Sequence, residues 1–299
     1  MKARHLKQRQ SLSLEHKIIL SHRRIRKFYD YFNGNVYISF SGGKDSTVLL
    51  HIIRTIYPNI PAVFVNTGLE YPEIVEFVKN TPNVTWIRPE MNFKRVLEEY
   101  GYPVVSKEVA KCIHHLKNPT SRNFYSRRYM ITGVRKDGTK ADKCTHLLPK
   151  KWMFLVDSPF KISQLCCDVM KKKPVKRYER ISKRKGYIGT MAMDSHMRAT
   201  GYFKTGCNTY SGNHIKSRPL AFWTQEDIWE YIKKYDLPYS RIYDMGASNT
   251  GCMFCMFGVH REKGKNRFQR MKTQHPKLYD YCINKLGCGE VLDYIGVKY

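Results

Sequence analysis

Ser39-Phe40-Ser41-Gly42-Gly43-Lys44-Asp45-Ser46-Thr47 lies between two apolar stretches, Val36 to Phe40 and Thr47 to Ile56. The first is short and rich in β-formers, which predicts a strand. The second has the apolar density of a buried helix and stops before Pro58. A strand that enters a helix through two glycines lets its backbone approach an anion closely. The helix that follows contributes unpaired N–H groups and the positive end of its dipole. Ser41, Ser46 and Lys44 add donors, so the loop reads as a phosphate cradle. Asp45 does not favour a bare anion. It fits a Mg²⁺ ion bridging to the phosphates, or an orienting role toward backbone donors. The spacing is not that of a Walker loop, which needs a longer gap before its Gly-Lys-Ser/Thr.

Outward from the loop the chain alternates. Pro61 to Val65 and Val84 to Ile87 read as strands, Tyr71 to Lys79 and Met91 to Tyr100 as helices, and Pro72 suits a first turn. Tyr187 to Gly189 is expected to return to the sheet. Such alternation predicts an α/β fold with a doubly wound, Rossmann-like parallel sheet. Ligands bind such sheets where the strand order reverses. Residues 1–33 read as a basic helical segment, with Ile18, Ile19, Ile25 and Phe28 on one face and Gly34 ending it. Residues 34–220 read as the nucleotide-binding α/β domain, with a basic insertion at about 103–186. Residues 221–299 read as a helical C-terminal region, in which Thr224 caps a helix through Trp229.

The chain has 299 residues, and 53 Lys and Arg face 25 acidic residues for a formal charge of +28. A field of that size attracts polyanions, so tRNA or DNA is an expected partner. Lys171 to Lys185 and His260 to Arg270 are the densest basic stretches, and Tyr178 and Tyr187 accompany the first. No apolar run reaches membrane-span length, so no membrane partner is expected. Met1 to Gln10 is basic with no apolar stretch behind it, so no secretory signal is expected and the cytoplasm is the predicted location. The nine cysteines then read as metal ligands, reactive thiols or core residues rather than disulfides.

The loop resembles that of the adenine nucleotide α-hydrolases, the PP-loop superfamily, which cleave ATP between the α- and β-phosphates. Val65-Asn66-Thr67-Gly68-Leu69-Glu70-Tyr71-Pro72-Glu73 resembles the Asp-Thr-Gly…Phe-Pro-Glu-Thr stretch of the phosphoadenosine phosphosulfate (PAPS) reductase family, with Asn66 in place of Asp. Gly189-Thr190-Met191-Ala192-Met193-Asp194-Ser195-His196-Met197-Arg198 resembles that family's Gly-Ile/Met-Arg/Ala…Glu-Ser…Arg stretch, with Asp194 for Glu. Arg218 to Trp229 resembles its Pro-Leu…Trp-Thr…Asp-Val/Ile-Trp segment, in which Trp223 and Trp229 read as packing residues. The resemblance implies a nucleotide site formed by Ser39, Ser41, Gly42, Gly43, Lys44, Asp45, Ser46, Thr47, Asn66, Thr67, Gly68, Gly189, Met191, Ser195 and Arg198. Lys44, Asp45 and Arg198 are its catalytic candidates. The ligand it implies is ATP, or the sulfonucleotides APS or PAPS, with Mg²⁺.

Cys252-Met253-Phe254-Cys255 is a Cys-x-x-Cys hairpin, and Cys166-Cys167 offers two more sulfurs. Four such thiols suit a metal. Zinc, an iron–sulfur cluster and a metal-free reduced set are all compatible with them. The Cys-Cys…Cys-x-x-Cys pattern resembles the 4Fe-4S site of assimilatory APS reductases. Three-ligand binding with one open iron, as in tRNA-thiolating relatives, is also compatible, and Cys207 is a further ligand candidate. Cys112, Cys144 and Cys282 read as core or surface thiols. The reductases end in Glu-Cys-Gly-Leu-His, whereas here the tail reads Leu286-Gly287-Cys288-Gly289-Glu290-Val291-Leu292, with no Glu just before Cys288 and no His after it.

The expectation is therefore a sulfur-handling enzyme that acts at the α-phosphate of an adenine nucleotide. It would adenylate a target, which nucleic acid could supply, for sulfur transfer from a sulfur donor. Reduction of APS or PAPS to sulfite, with a thioredoxin-like reductant, is the alternative within the same family. A non-catalytic nucleotide-sensing, nucleic-acid-binding regulator is the alternative outside catalysis.

Overall fold

The run after Asn35 forms strand β1, Val36–Ser39, and its side chains separate the layers. Val36 and Ile38 are fully buried in a cluster with Ile25, Phe28, Leu49 and Ile53. Tyr37 points to the opposite face, where its hydroxyl donates to Glu179 at 2.9 Å and its ring meets Tyr178 edge-on at 5.1 Å. This is the period-two alternation of a strand covered on both sides. Described here in a computed structural model are residues 3–141, 147–212 and 214–299; Cys144 lies outside them.

The chain divides into two compact units. The first comprises Met1–Asn66, Glu70–Arg88 and Pro174–Thr250, and the second Thr67–Leu69, Pro89–Lys173 and Gly251–Tyr299. The first unit holds β1, β2 (Ala62–Val65), β3 (Val84–Ile87), β4 (Lys185–Ile188), β5 (Asn208–Thr209) and β6 (Lys216–Ser217), in the order β3-β2-β1-β4-β6-β5. β1 runs parallel to both neighbours, with Ile38 opposite Ala62 on one side and Tyr187 on the other. β5 alone is antiparallel, at the edge. From β1 the chain steps outward through β2 to β3, then returns on the other side of β1 as β4. The order reverses between β1 and β4, so the doubly wound α/β sheet has its switch point there. The return to the sheet comes two residues earlier than the sequence reading placed it.

At the N-terminus the expected single helical segment is two helices, Ala3–Gln10 and Leu14–Tyr31. The break comes at Ser13, whose side chain caps the second helix by accepting from the His16 N–H. Ile18, Ile25 and Phe28 are buried as expected, but Ile19 is 49 % exposed. At about 100° per residue the buried Leu14, Lys17, Ile18, Ser21, Ile25 and Phe28 share one arc of the helix, with Lys17 and Ile18 at its edges, and Ile19 lies beyond it. Lys17 is buried because Asp227 meets it: Nζ lies 2.7 Å from both carboxylate oxygens. Asp227 also accepts from the Thr224 N–H at 2.7 Å, closing a capping box on the helix Gln225–Lys234.

The second unit is built of short helices around a two-residue parallel pairing of Val104–Val105 with Met256–Phe257. Leu155, Met170, Phe268 and Leu292 are fully or almost fully buried in it.

Removing one member of a buried ion pair strands the other without water. Lys17→Met is therefore expected to lower unfolding free energy by about 3–5 kcal/mol in urea titration. The double variant Lys17→Met/Asp227→Leu is expected to recover most of that loss, short of about 1 kcal/mol for the missing cap. Equal stability of the single variant and the parent chain would show that the pair carries no such constraint.

Candidate active site at the sheet switch point

The segment after β1 is short because Gly42 turns it sharply. Its φ is +72°, and a Cβ there would lie 2.7 Å from the Val78 side chain. Gly43 is the N-cap of the helix Lys44–Arg54, and the Ser46 and Thr47 hydroxyls donate back to its carbonyl at 2.8 and 3.2 Å. Ser46 Oγ also accepts the Ser41 N–H at 3.2 Å. The turn is thus held by its own serines. On the far side of the crevice Gly189 follows β4. A Cβ there would approach the Asp45 carbonyl oxygen to 3.0 Å, so the glycine lets β4 close on the first turn of that helix.

A cavity of about 910 Å³ opens between these two loops. Of the residues singled out from sequence, Ser39, Ser41, Gly43, Lys44, Asp45, Ser46, Gly189, Ser195 and Arg198 line it. Gly42, Thr47 and Met191 stand behind the lining: Thr47 is hydrogen-bonded to the cap, and Met191 is buried with its N–H donating to Asp194 at 3.0 Å. Asn66 follows β2, its N–H bonded to the Ile87 carbonyl at 2.9 Å, and is not in the lining. Thr67 and Gly68 belong to the second unit, where the Thr67 hydroxyl accepts from the Leu69 N–H at 3.2 Å.

Lys44 is 2 % exposed. Its ammonium donates to the Ser248 carbonyl at 2.9 Å, lies 3.7 Å from the Asp45 carboxylate, and sits 5.2 Å from the Tyr243 ring centroid and 6.0 Å from that of Trp229. Its backbone N–H donates to the Tyr243 hydroxyl at 2.8 Å. A phosphoryl oxygen is a stronger acceptor than a neutral carbonyl or phenol, because the bond becomes charge-assisted. Arg198 pairs with Asp194, and Gln225 approaches the same carboxylate at 3.4 Å. Burial raises the Asp45 carboxyl above the usual aspartate range. The Lys44 ammonium opposes that shift, and Asp194 adds to it. One Asp45 oxygen has no hydrogen-bond partner among the described residues. A half-buried carboxylate with one oxygen unbonded, on the cavity wall beside the loop, is chemically suited to a hard divalent cation.

Sequence reasoning did not find Tyr243, Ser248, Asn249 and Thr250. They come from an irregular segment with no periodicity, and only folding lays them against the loop. Trp229 is not the packing residue expected, because it falls off the buried face marked by Asp227, Ile228, Tyr231 and Ile232. It is 37 % exposed and lines the cavity, whereas Trp223 is fully buried and donates to Ser21 at 3.0 Å, as a packing residue should.

In the second unit, Cys166, Cys167, Cys252 and Cys255 lie within one another's electrostatic reach. Burial pushes the Cys166 thiol up, reinforced by its three neighbours, and pushes Cys255 up to about 11, reinforced by Cys252 and opposed by Arg267. Arg267 also donates to the Cys255 carbonyl at 3.0 Å and pairs with Glu262, so part of the second basic stretch is structural. Among the described residues no group of three or more His, Cys, Asp or Glu is arranged to hold a metal ion. The four gathered sulfurs are nonetheless an all-thiol donor set, the chemistry that suits zinc or iron–sulfur clusters. Cys207 is buried in the first unit, apart from this set. Cys112 and Cys282 are core thiols. Cys288 is fully buried at the start of the helix Cys288–Tyr294, and its hydrogen bond raises the Cys282 thiol.

A mostly parallel sheet with a glycine-turned helix N-terminus and a buried lysine at its switch point defines a doubly wound α/β protein. The phosphoadenosine phosphosulfate reductase domain matches residues 35–154 and 149–257, and the chain belongs to that family. Two uncharacterized proteins of Methanocaldococcus jannaschii are each 24 % identical over 88 % of this chain. The chain spans 51 % and 43 % of their lengths, about half. An adenosine 5'-phosphosulfate reductase of Salinibacter ruber is 22 % identical over 75 % of this chain and 69 % of its own length. Among solved structures, the PAPS reductase of Candida auris in a phosphate complex aligns at 15 % identity and a TM-score of 0.44, over 81 % of this chain and 96 % of that one. The U34-tRNA thiolase NcsA of Methanococcus maripaludis with its 4Fe-4S cluster aligns at 14 % identity and a TM-score of 0.38, over 92 % and 79 %. No helix among the described residues is long and apolar enough to cross a membrane.

Because burial raises the Asp45 carboxyl, the folded chain holds that proton more tightly than the unfolded chain. Its favourable contribution is present below the ordinary aspartate range and is lost as pH rises through the raised value. Asp45→Asn is thus expected to raise the thermal midpoint at pH 7 in metal-free buffer, with the gain shrinking toward pH 4. A midpoint difference that does not vary with pH would contradict this account.

Proposed function

We propose that this chain is a sulfur-handling enzyme that binds ATP with its phosphates on the Ser41–Ser46 loop and transfers the adenylyl group to a target. The observation that carries this reading is the buried Lys44 ammonium, at the N-terminus of a helix and on a cavity that Arg198 also lines. An oxygen nucleophile on the target attacks the α-phosphorus. A new O–P bond forms, the α–β bridging bond breaks, and its electron pair leaves with pyrophosphate. Lys44 and the N–H groups of the first turn meet the charge that develops on the leaving group. Asp45 would hold Mg²⁺ against the same phosphates. A sulfur nucleophile from a sulfur donor then forms the C–S bond as the C–O bond breaks and AMP departs. The +28 charge favours a polyanionic acceptor, tRNA or DNA, over sulfonucleotide reduction.

Cys166, Cys167, Cys252 and Cys255 would hold a 4Fe-4S cluster, with zinc as the alternative, and a cluster bound there would supply a site for sulfur. Reduction of APS to sulfite is the second reading. It is favoured by relatives named adenosine 5'-phosphosulfate reductases that match 75–77 % of the chain.

Anaerobically purified protein is expected to bind ATP and to release pyrophosphate when the acceptor is supplied. Lys44→Ala should weaken ATP binding about 10- to 100-fold, the loss of one charge-assisted contact. Sulfite release from APS without pyrophosphate release from ATP would replace this reading with the reductase. The same preparation should carry iron and sulfide with visible absorbance that Cys252→Ser and Cys255→Ser abolish. Stoichiometric zinc instead would overturn the iron assignment.

A further inference from the structure

The helix Phe124–Thr132 buries one residue, Met130. Phe124, Tyr125 and Ile131 stand 51 %, 44 % and 51 % exposed. The two rings meet edge-to-face at 5.4 Å, and two cations lie on the second of them. The Lys136 ammonium lies 5.3 Å and the Arg128 guanidinium 5.8 Å from the Tyr125 centroid. A shallow cavity of about 510 Å³ beside the rings is lined by Pro119, Thr120, Ser121, Phe124, Tyr125 and Arg127.

The charge here is one-sided. Between Val109 and Ala141 the chain carries eight lysines and arginines against Asp137 alone. The Asp137 carboxylate is taken by the N–H and hydroxyl of Thr139, at 2.9 and 2.7 Å. Among the described residues none of Arg122, Arg127, Arg128 and Lys136 has an acidic partner. Arg127 donates to the Asn123 side chain at 2.8 Å and Arg128 to the Arg135 carbonyl at 2.6 Å. Neutral acceptors orient these guanidinium groups and leave their charge in place.

We propose that this face binds unpaired RNA, with bases stacked on Phe124 and Tyr125 and phosphates paired with Arg127, Arg128 and Lys136. Exposed rings bordered by uncompensated cations are the two halves of single-strand recognition: π-faces for bases and positive charge for the backbone. A duplex hides the faces of its bases, so these rings have no use against it. Unpaired loops are standing features of folded RNA, and sequence-specific RNA recognition reads them by such stacking. DNA offers unpaired bases only once opened. A lipid surface fits poorly, because the helix presents no continuous apolar face to insert. The inference deepens the nucleic-acid reading of the acceptor, but the surface is tested without turnover.

The test uses the full-length protein and fluorescence anisotropy at stepped salt concentrations. The probes are a labelled RNA stem-loop, the loop sequence annealed into a duplex, and the loop sequence as single-stranded DNA. The stem-loop is expected to bind tightest. Phe124→Ala and Tyr125→Ala should each weaken it about 10-fold with the salt dependence unchanged. Arg127→Gln with Arg128→Gln should flatten the salt dependence by about two phosphate contacts. Tyr125→Ala should keep the parent thermal midpoint and ATP affinity, which excludes misfolding. Parent-like RNA affinity in both ring variants, or duplex or DNA binding as tight as the loop, would overturn the proposal. RNA binding that survives in a chain with no ATP affinity would sink the adenylation reading and leave this surface standing.

Discussion

A buried ammonium at the mouth of a parallel sheet is the constraint around which the first unit is organised. Lys44 cannot be taken from water without partners, because an isolated buried charge is far costlier than any single contact is worth. The fold supplies a carbonyl from Ser248, a carboxylate from Asp45 and two aromatic faces. The carbonyl and the rings are weaker partners than a phosphoryl oxygen. The fold thus holds its lysine in place at the cavity wall. The glycines on either side follow from the same need: Gly42 turns the loop sharply and Gly189 lets β4 approach the helix start.

The buried pair Lys17–Asp227 performs the matching structural task. It ties the second N-terminal helix to the helix Gln225–Lys234, and the latter carries Trp229 and Gln225 to the cavity wall. Its carboxylate is satisfied twice over, by the ammonium and by the Thr224 N–H that closes the capping box. Asp45, by contrast, keeps one oxygen without a hydrogen-bond partner among the described residues. The two aspartates of this unit thus differ in kind, Asp227 buried and saturated, Asp45 half-buried at the cavity wall with one oxygen unbonded among the described residues.

The cysteines show a similar division. A hydrogen bond joins the free thiols Cys282 and Cys288, both fully buried in the core. Cys166 and Cys255 instead resist ionisation, chiefly through burial and further through the neighbouring thiols, a tension that a bound cation would relieve. Surface charge divides in the same way. Arg267 and Arg270 are spent on Glu262, while Arg127, Arg128 and Lys136 have no acidic partner among the described residues.

The sequence by itself determined the strands, the glycine turn, the helix caps and hence the α/β class, because each depends on a few neighbouring residues and on the period of apolar side chains. It also marked Lys44, Asp45, Arg198 and the four cysteines, whose residue types and spacing carry their chemistry. Tertiary structure alone decided that Tyr243, Ser248 and Thr250 would lie against the loop, since an irregular segment carries no period from which its place can be read. It decided too that Trp229 would line the cavity while Trp223 packed, and that residues 89–173 would leave the sheet to join 251–299. Those outcomes rest on contacts between residues far apart in the chain, and local propensity has no bearing on which distant surfaces meet.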